Sequence, residues 1–520
     1  MASAEGIFEG RLRELCKQCP PWYKNPSLVR LYLLLIAPMM TTTAWGFDNA
    51  LTNGLQSIDT FMNNFGNPQG STLGFFGASM SVGGIIGCIV GGPLNDRFGR
   101  RPLISGGALL IVGMVIMQTF SSNFGMFTGG KLLLGFGAFI QQCAASVLVV
   151  ELVHPKQREA LSSFFNTNIY IGFIIGAWIT FGTFRMTSQW SWKLPCILQL
   201  ALPAYQVVMV WFCPESPRWL ISKGRIEEGR QILIKYHGNG VEDEIVRVEM
   251  EEIMAGIEAD KTMIKANWQG LKTVLGTKGN RHRLWICIVT AVGSQALGGS
   301  FVAAYLPQIL DQVGLTSSKD KTLINGMMTI VNWLTAIIAA FVIPKVKRRT
   351  MFLFATAGMT ASFIIWTALT AEYVKHGHKG LGIGVVVIIF IYNFFTSMCW
   401  VPLVIAYPLE NVTTKQRAIF FAITLFSINV SAFCSSYLNP VGLAAIGWRY
   451  YLPQCCFNAL MIVIIYFTFV ETKGLTLEEI AIIYDGKESF EEAVHYVSME
   501  LNAKHSEAVS HVEEHTEVKA

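Results

Sequence analysis

Long apolar stretches alternate with short polar ones along most of the chain. Twelve apolar segments stand out, at about 30–53, 72–94, 102–120, 125–150, 161–183, 193–213, 284–309, 323–344, 351–372, 381–406, 418–438 and 450–470. Each is close to the roughly 20 residues that a helix needs to cross a bilayer. A lone strand in lipid would leave its backbone unpaired, whereas a helix satisfies its own hydrogen bonds. The pattern therefore predicts an all-α membrane protein with twelve transmembrane helices.

Lysine and arginine in the loops give the orientation. Basic residues follow span 2 (Arg97, Arg100, Arg101) and span 8 (Lys345, Lys347, Arg348, Arg349), and mixed charge fills 214–283. The loops at 54–71 and 120–124 carry neither Lys nor Arg. The even-to-odd loops and both termini are expected to be cytoplasmic. The expected organisation is a cytoplasmic segment 1–29, a six-helix half 30–213, a cytoplasmic linker 214–283, a second half 284–470 and a cytoplasmic tail 471–520. No cleavable signal peptide is expected, because the first ~28 residues lack an apolar core. Two sequons, at Asn411 and Asn429, fall in a cytoplasmic loop and inside a span, so no glycosylation is expected.

Composition narrows the classes. The 520 residues are 52% apolar and only 14% charged, with a mean hydropathy of +0.43; a soluble chain carries roughly 25% charge. These values exclude a soluble enzyme, a disordered scaffold and a nucleic-acid binder. The net charge of +5 is scattered and points to no anionic partner. The 11 cysteines lie mostly in apolar runs and read as small buried hydrophobes, with no zinc-type spacing and no disulfide framework. No metal, cofactor or catalytic constellation is expected.

An internal repeat organises the charges. Glu151 precedes Arg158 by seven residues, and Glu410 precedes Arg417 by seven. The pairs Arg100-Arg101 and Arg348-Arg349 match, as do Glu215 and Glu471. Partners are separated by 259, 248 and 256 residues, a near-constant offset that indicates two six-helix halves. Parallel halves with a solute site between them near the midplane are a known transporter design. The loop charges are expected to set topology and also to form ion pairs across the cytoplasmic face, closing an inner gate.

Charges inside spans cost about 3 kcal/mol each and point to function. Asp48 lies in span 1 and Lys131 early in span 4, both toward the outer side. Their pairing is open to two readings: a static bridge, or a proton site whose protonation releases Lys131. Polar residues on apolar spans, among them Asn168, Gln295, Ser300, Asn332 and Trp400, suit a hydroxylated neutral solute; inter-helix hydrogen bonding is the alternative. Gln295 and Asn332 are the leading solute ligands.

Several motifs resemble the sugar porter family of the major facilitator superfamily, most closely its fungal lactose-permease-like branch. Asn95-Asp96-Arg97-Phe98-Gly99-Arg100-Arg101 looks like the signature between spans 2 and 3. Pro214-Glu215-Ser216-Pro217-Arg218-Trp219-Leu220 and Glu471-Thr472-Lys473-Gly474-Leu475-Thr476-Leu477-Glu478-Glu479 are similar to the signatures after spans 6 and 12. Ala406-Tyr407-Pro408-Leu409-Glu410 with Arg417 resembles the exit of span 10. The resemblance runs from about Gly46 to Ile480 and implies the major facilitator fold, alternating access, and uniport or proton symport of sugars. It maps the family's span 1 acid to Asp48 and its span 4 arginine to Lys131. Its span 7 glutamine and span 8 asparagine fall on Gln295 and Asn332. The chain departs from the family pattern at Ser294, Gly298-Gly299-Ser300 and Ile405, and its loop 8–9 motif has lost an Asp and a Gly. Fewer donors imply a less hydroxylated or differently shaped solute.

The linker reads as short amphipathic helices, one opening at Arg225–Glu228 and one over 242–257, serving as a connection or an inward latch. The tail carries His495, His505, His511 and His515, read as a disordered regulated segment, with metal binding as the alternative. The expected function is plasma-membrane transport of a sugar, polyol or similar metabolite, with a proton, by a monomer in the lipid bilayer. An exporter of a small metabolite and a non-transporting nutrient sensor are the alternatives.

Overall fold

The computed structural model describes residues 11–12, 14–16, 19–264, 276–412, 416–473, 480 and 483–484, without the side chains of 159, 160, 163, 259–264, 417 and 418. Eleven helical stretches are long and apolar enough to cross a membrane. The last, Ile419–Thr468, holds two helices that meet at Gly447, so the chain crosses twelve times. No strand occurs among the described residues.

In the N-terminal half the spans are Pro26–Gln56, Gly70–Phe98, Arg100–Thr119, Phe124–Leu152, Phe164–Thr183 and Trp190–Phe212. In the C-terminal half, span 7 covers Lys278–Gln312, span 8 Ser318–Val342, span 9 Arg348–His376, span 10 Lys379–Glu410, span 11 Arg417–Ile446 and span 12 Tyr451–Thr468. Span 1 starts where Asn25 accepts from the Ser27 and Leu28 amides, with Pro26 in the first turn. Within lipid there is no hydrophobic drive between helices, so packing depends on close approach. A Cβ on Gly46 would lie 2.1 Å from Ile169 O, and one on Gly135 2.3 Å from Met80 O. Spans 1 and 5, and spans 2 and 4, therefore touch backbone to backbone.

The halves meet through spans 1 and 7, 2 and 11, and 5 and 8, and the meeting is tightest at the end opposite the termini. There Gln56 donates to Ala304 O and accepts from Gln308 Nε2, both at 2.9 Å, and Asn53 donates to Asn325 at 3.0 Å. Tyr305, fully buried, sets its hydroxyl against Gly77 of span 2 while donating to Ser436 O of its own half at 2.6 Å. A cluster of Phe61, Phe65, Phe76, Phe124, Phe127 and Trp192 caps the same end of the N-terminal half. No ion pair joins the two halves at the terminal end among the described residues. The described contacts thus hold the two halves together at the far end.

Three linker helices, Pro217–Ser222, Ile226–Tyr236 and Glu244–Ile264, pack on one another through Ile221, Leu233, Val246, Met250 and Ile257. They dock beneath the N-terminal half. His237 bonds Glu249 Oε2 at 2.7 Å and Leu152 O at 3.1 Å. With both ring nitrogens facing acceptors, His237 is held as a cation, and its pKa lies above the ordinary value because Glu249 outweighs the opposing burial. The Glu249 carboxyl is held below its usual range by His237 and Arg158, again against burial.

Candidate functional site

The two charges in the N-terminal spans meet. Lys131 Nζ lies 3.8 Å from Asp48 Oδ2, with both side chains almost wholly buried. Gln199 donates to Asp48 Oδ1 at 3.0 Å, while Oδ2 receives no hydrogen bond. Lys131 also donates to Thr52 Oγ1, and its ammonium sits 4.8 Å from the centre of the Phe76 ring. Thr52 is one turn beyond Asp48 and donates to its carbonyl. The aromatic cap seals this group on the far side. Asp48 thus has one satisfied oxygen and one held mainly by charge, so a proton on Oδ2 breaks only the link to Lys131.

Span 7 breaks in mid-membrane. Gly298 has φ +110°, a conformation that disfavours residues with a Cβ. A broken helix frees carbonyls that lipid cannot satisfy. Tyr392 Oη donates to Leu297 O at 2.8 Å, Ser435 to Gln295 O at 3.1 Å, and Gln454 to Ala296 O. The break brings Ser300 Oγ onto Gln295 Oε1, so these two expected solute ligands form one unit. Ser300 shares a helix face with Ala304, whose carbonyl is bound by Gln56 of span 1.

Asn332 lies seven residues beyond Asn325 on the same face of span 8, about 10 Å toward the terminal end. Asn325 bonds across to Asn53, so Asn332 looks into the same inter-half space, and its buried Oδ1 has no partner. Asn168 interrupts span 5, 2% exposed, with Thr43 donating to its carbonyl at 3.3 Å and its Oδ1 unpaired. It is packed against span 1. Trp400 departs from expectation. It is 1% exposed, edge-on to Phe352 at 5.0 Å, and its indole N–H goes to Thr356 Oγ1 at 3.2 Å. Trp400 ends a π-helical stretch, Thr396–Trp400, and its ring packs between span 9 and Gly293 of span 7.

The charges at the terminal end form two matching brackets. Arg100 Nε and Nη2 reach the Glu151 carboxylate at 3.2 and 3.3 Å, and the backbone amides of Arg100 and Arg101 donate to Glu215 at 3.2 and 3.1 Å. In the second half, Arg348 reaches Glu410 at 3.1 to 3.2 Å, and the amides of Arg348 and Arg349 donate to Glu471 at 2.8 and 3.2 Å. Arg101 covers Trp211 and bonds its carbonyl; Arg349 does the same to Tyr466. Each bracket puts a carboxylate on the positive end of a helix. Among the described residues both brackets lie inside one half, whereas pairs across the cytoplasmic face were expected. Arg158 forms ion pairs with Glu249 and Glu252 of the linker, each at 3.8 Å. Asp96 and Arg97 lie exposed, Arg97 over Phe98. The Arg417 side chain and the tail histidines lie outside the described residues.

These features have counterparts elsewhere. A family model described as sugar (and other) transporter matches residues 34–484. The chain belongs to that family. It is a multi-pass membrane transporter of the major facilitator fold, not an enzyme. It is 28% identical to hexose transporter HXT13 of Saccharomyces cerevisiae over 457 residues, covering 85% of this chain and 80% of that one. Sugar transporter STL1 of the same yeast is 27% identical over 489 residues, covering 90% and 85%. MFS-type transporter criB of Aspergillus cristatus is 25% identical over 472 residues, covering 89% and 96%. Among solved structures, the inward-open xylose transporter XylE of Escherichia coli superposes with a TM-score of 0.72 at 20% identity, covering 87% of this chain and all of that one. The fold is therefore shared with that carrier.

The sequence reading passed over Gln199, Asn53, Gln56 and Asn325, although an amide on an apolar span is the same signal that singled out Gln295. It also set aside the cysteines too broadly. Cys16 and Cys19 stand in a C-x-x-C spacing, and the chain brings His154 to them from a distant loop. Both sequon asparagines are buried, Asn411 donating to Tyr407 O at 2.7 Å and Asn429 to Leu425 O at 2.9 Å.

Proposed function

We propose that this transporter carries a sugar, or a polyol of similar shape, by alternating access, with a proton bound and released at Asp48. The observation that supports it most is the buried Asp48–Lys131 pair with one carboxylate oxygen short of a donor. Protonating that oxygen neutralises Asp48, frees Lys131 toward Thr52 and Phe76, and changes the balance between the two facing states. The solute sits between Gln295, Ser300 and Asn332, whose two amides and one hydroxyl offer donors and acceptors to the solute's hydroxyls. Asn168 supports the site from span 5. The halves act as rigid bodies, each braced at its terminal end by its Arg–Glu bracket and helix-capping glutamate. The gating residues Asp96, Arg97, Arg158 and Arg417 complete the terminal-end charge layer. The protein works as a monomer in the plasma membrane with both termini in the cytoplasm. HXT13 and STL1, named for hexose and sugar transport, support a carbohydrate-like cargo.

A second reading has a specific basis. Ser294 spends its hydroxyl on Ala291 O at 2.7 Å, and Trp400 spends its N–H on Thr356. The donor-poor site that remains suits export of a less hydroxylated metabolite. Uptake of labelled hexoses, pentoses and polyols into a transport-deficient host, at about pH 5 and about pH 7.5, separates the two. Import of a carbohydrate, faster at acid pH, supports the first reading. No import of any member of the panel, with depletion of a less polar compound from loaded cells, supports the second.

A further inference from the structure

We propose that Cys16, Cys19 and His154 form a binding site for a thiophilic divalent metal, zinc being the natural occupant, which pins the N-terminal segment beneath the first half. The ligand atoms of these three residues all lie within 4.8 Å of one another. Cys16 and His154 are 5% and 3% exposed, and Cys19 is half-buried. Zinc bonds thiolate sulfur at about 2.3 Å and imidazole nitrogen at about 2.0–2.1 Å. A tetrahedron of those lengths places its ligand atoms about 3.5–3.8 Å apart. Loading the site therefore draws the three together by about 1 Å, which a terminal segment can supply. The half-buried Cys19 side leaves the fourth position to water.

The surroundings suit that chemistry. Two thiolates and a neutral imidazole around a divalent cation sum to zero, the charge that a buried site best tolerates. His154 is kept neutral, its pKa pushed down to about 4 by burial and by the neighbouring His237. The Cys16 thiol is pushed up to about 11 by burial and by Cys19. Thiolate is the form that binds metal, so loading the site displaces the thiol protons. The His237 ring lies 5.3 Å from His154 but is committed to Glu249 and Leu152 O, which leaves His154 as the ligand. His154 accepts from the Lys156 amide at 3.2 Å through Nδ1. Whichever ring nitrogen takes the metal, the other must carry a proton, so loading gives up this one long bond. The segment is already positioned: Lys156 Nζ donates to Cys19 O at 2.8 Å, and Arg11 pairs with Glu244 of the linker at 2.8 Å. The metal would join the N-terminal segment, the loop between spans 4 and 5 and the linker dock into one body.

Cobalt reports the site directly. The full-length protein, purified in detergent under reducing conditions and stripped with chelator, is titrated with Co²⁺ and then Zn²⁺. The expected result is a thiolate-to-cobalt charge-transfer band that saturates at one metal per chain and is displaced by zinc. Cys16→Ser and Cys19→Ser should each abolish the band, and His154→Ala should weaken binding at least tenfold. Cys434→Ser, in span 11, should leave it intact. Tail histidines that bind cobalt give no thiolate band, so they do not confuse the reading. Size-exclusion profiles establish that the variants fold. No band in the reduced wild type, or a band that survives the Cys16→Ser/Cys19→Ser double variant, overturns the proposal. So does a Cys16–Cys19 disulfide found by mass spectrometry in protein isolated without reductant.

Discussion

Gln56→Leu should open the far end of the transporter. Gln56 makes two bonds between the halves, to Ala304 O and from Gln308 Nε2, both at 2.9 Å. A net hydrogen bond is worth about 1 kcal/mol, and stranding a partner in a partly buried place adds about 1 kcal/mol more. The closed far end thus loses about 2–3 kcal/mol relative to the open one, because these bonds exist in only one of the two states. At 1.4 kcal/mol per factor of ten, the open population rises about 30- to 150-fold. The assay is a cysteine at Ala304, which lies under Gln56, labelled with a membrane-impermeant maleimide from the far side and quantified on its peptide by mass spectrometry. The labelling rate should rise by the same factor over the Ala304→Cys parent. Gln308→Leu, which removes one of the two bonds, should give a smaller rise. An unchanged labelling rate in Gln56→Leu would mean that these bonds do not hold the far end shut, and the assignment of facing states would fail.

Three further outcomes follow from other parts of the molecule. Gly298→Ala should lower thermal stability by roughly 2 kcal/mol or more, since its Cβ would meet Tyr392 Oη at 2.9 Å in a left-handed conformation; a melting temperature equal to wild type would contradict the break at span 7. Glu471→Gln should cost about 1 kcal/mol through the lost charge at the start of span 9, and Glu215→Gln about as much at span 3; a large loss in only one would argue against equivalent brackets. In chelator, docking of the linker should be strongest near pH 6.5, read by proteolysis of the 214–264 region. The His237 contribution is full below its unfolded pKa of about 6.5 and is lost as pH rises through its elevated folded value. The Glu249 contribution is lost only at acid pH, and His154, folded near 4, costs stability as pH falls below about 6.5. His237→Gln should remove the alkaline loss; a profile unaffected by that change would rule the pair out as the dock.

The twelve spans, the two halves and the matched charges were legible in the sequence because each rests on a local pattern: a run of apolar residues, a cluster of basic ones, or a constant offset. The pairing of Asp48 with Lys131 was also legible, since two opposite charges in neighbouring spans at similar depth can rarely stay apart in lipid. Partners set by helix rotation were not. Glu151 was expected to reach the other half, yet the rotation of span 3 turns Arg100 toward it. Trp400 was expected to face a solute, but its indole N–H is taken by Thr356 of span 9, a partner that no local spacing announces. The Cys16–Cys19–His154 cluster was hidden because its third member comes from a loop far along the chain, and no local spacing announces such a meeting.

The most direct test of the account uses purified transporter in sealed vesicles with an imposed proton gradient. With one proton per solute, a gradient of one pH unit should drive accumulation toward about tenfold. Asp48→Asn should bring the solute only to equal concentrations on both sides while exchange continues. Accumulation undiminished in Asp48→Asn would remove Asp48 from coupling, and vesicles that bind solute without moving it would contradict transport itself.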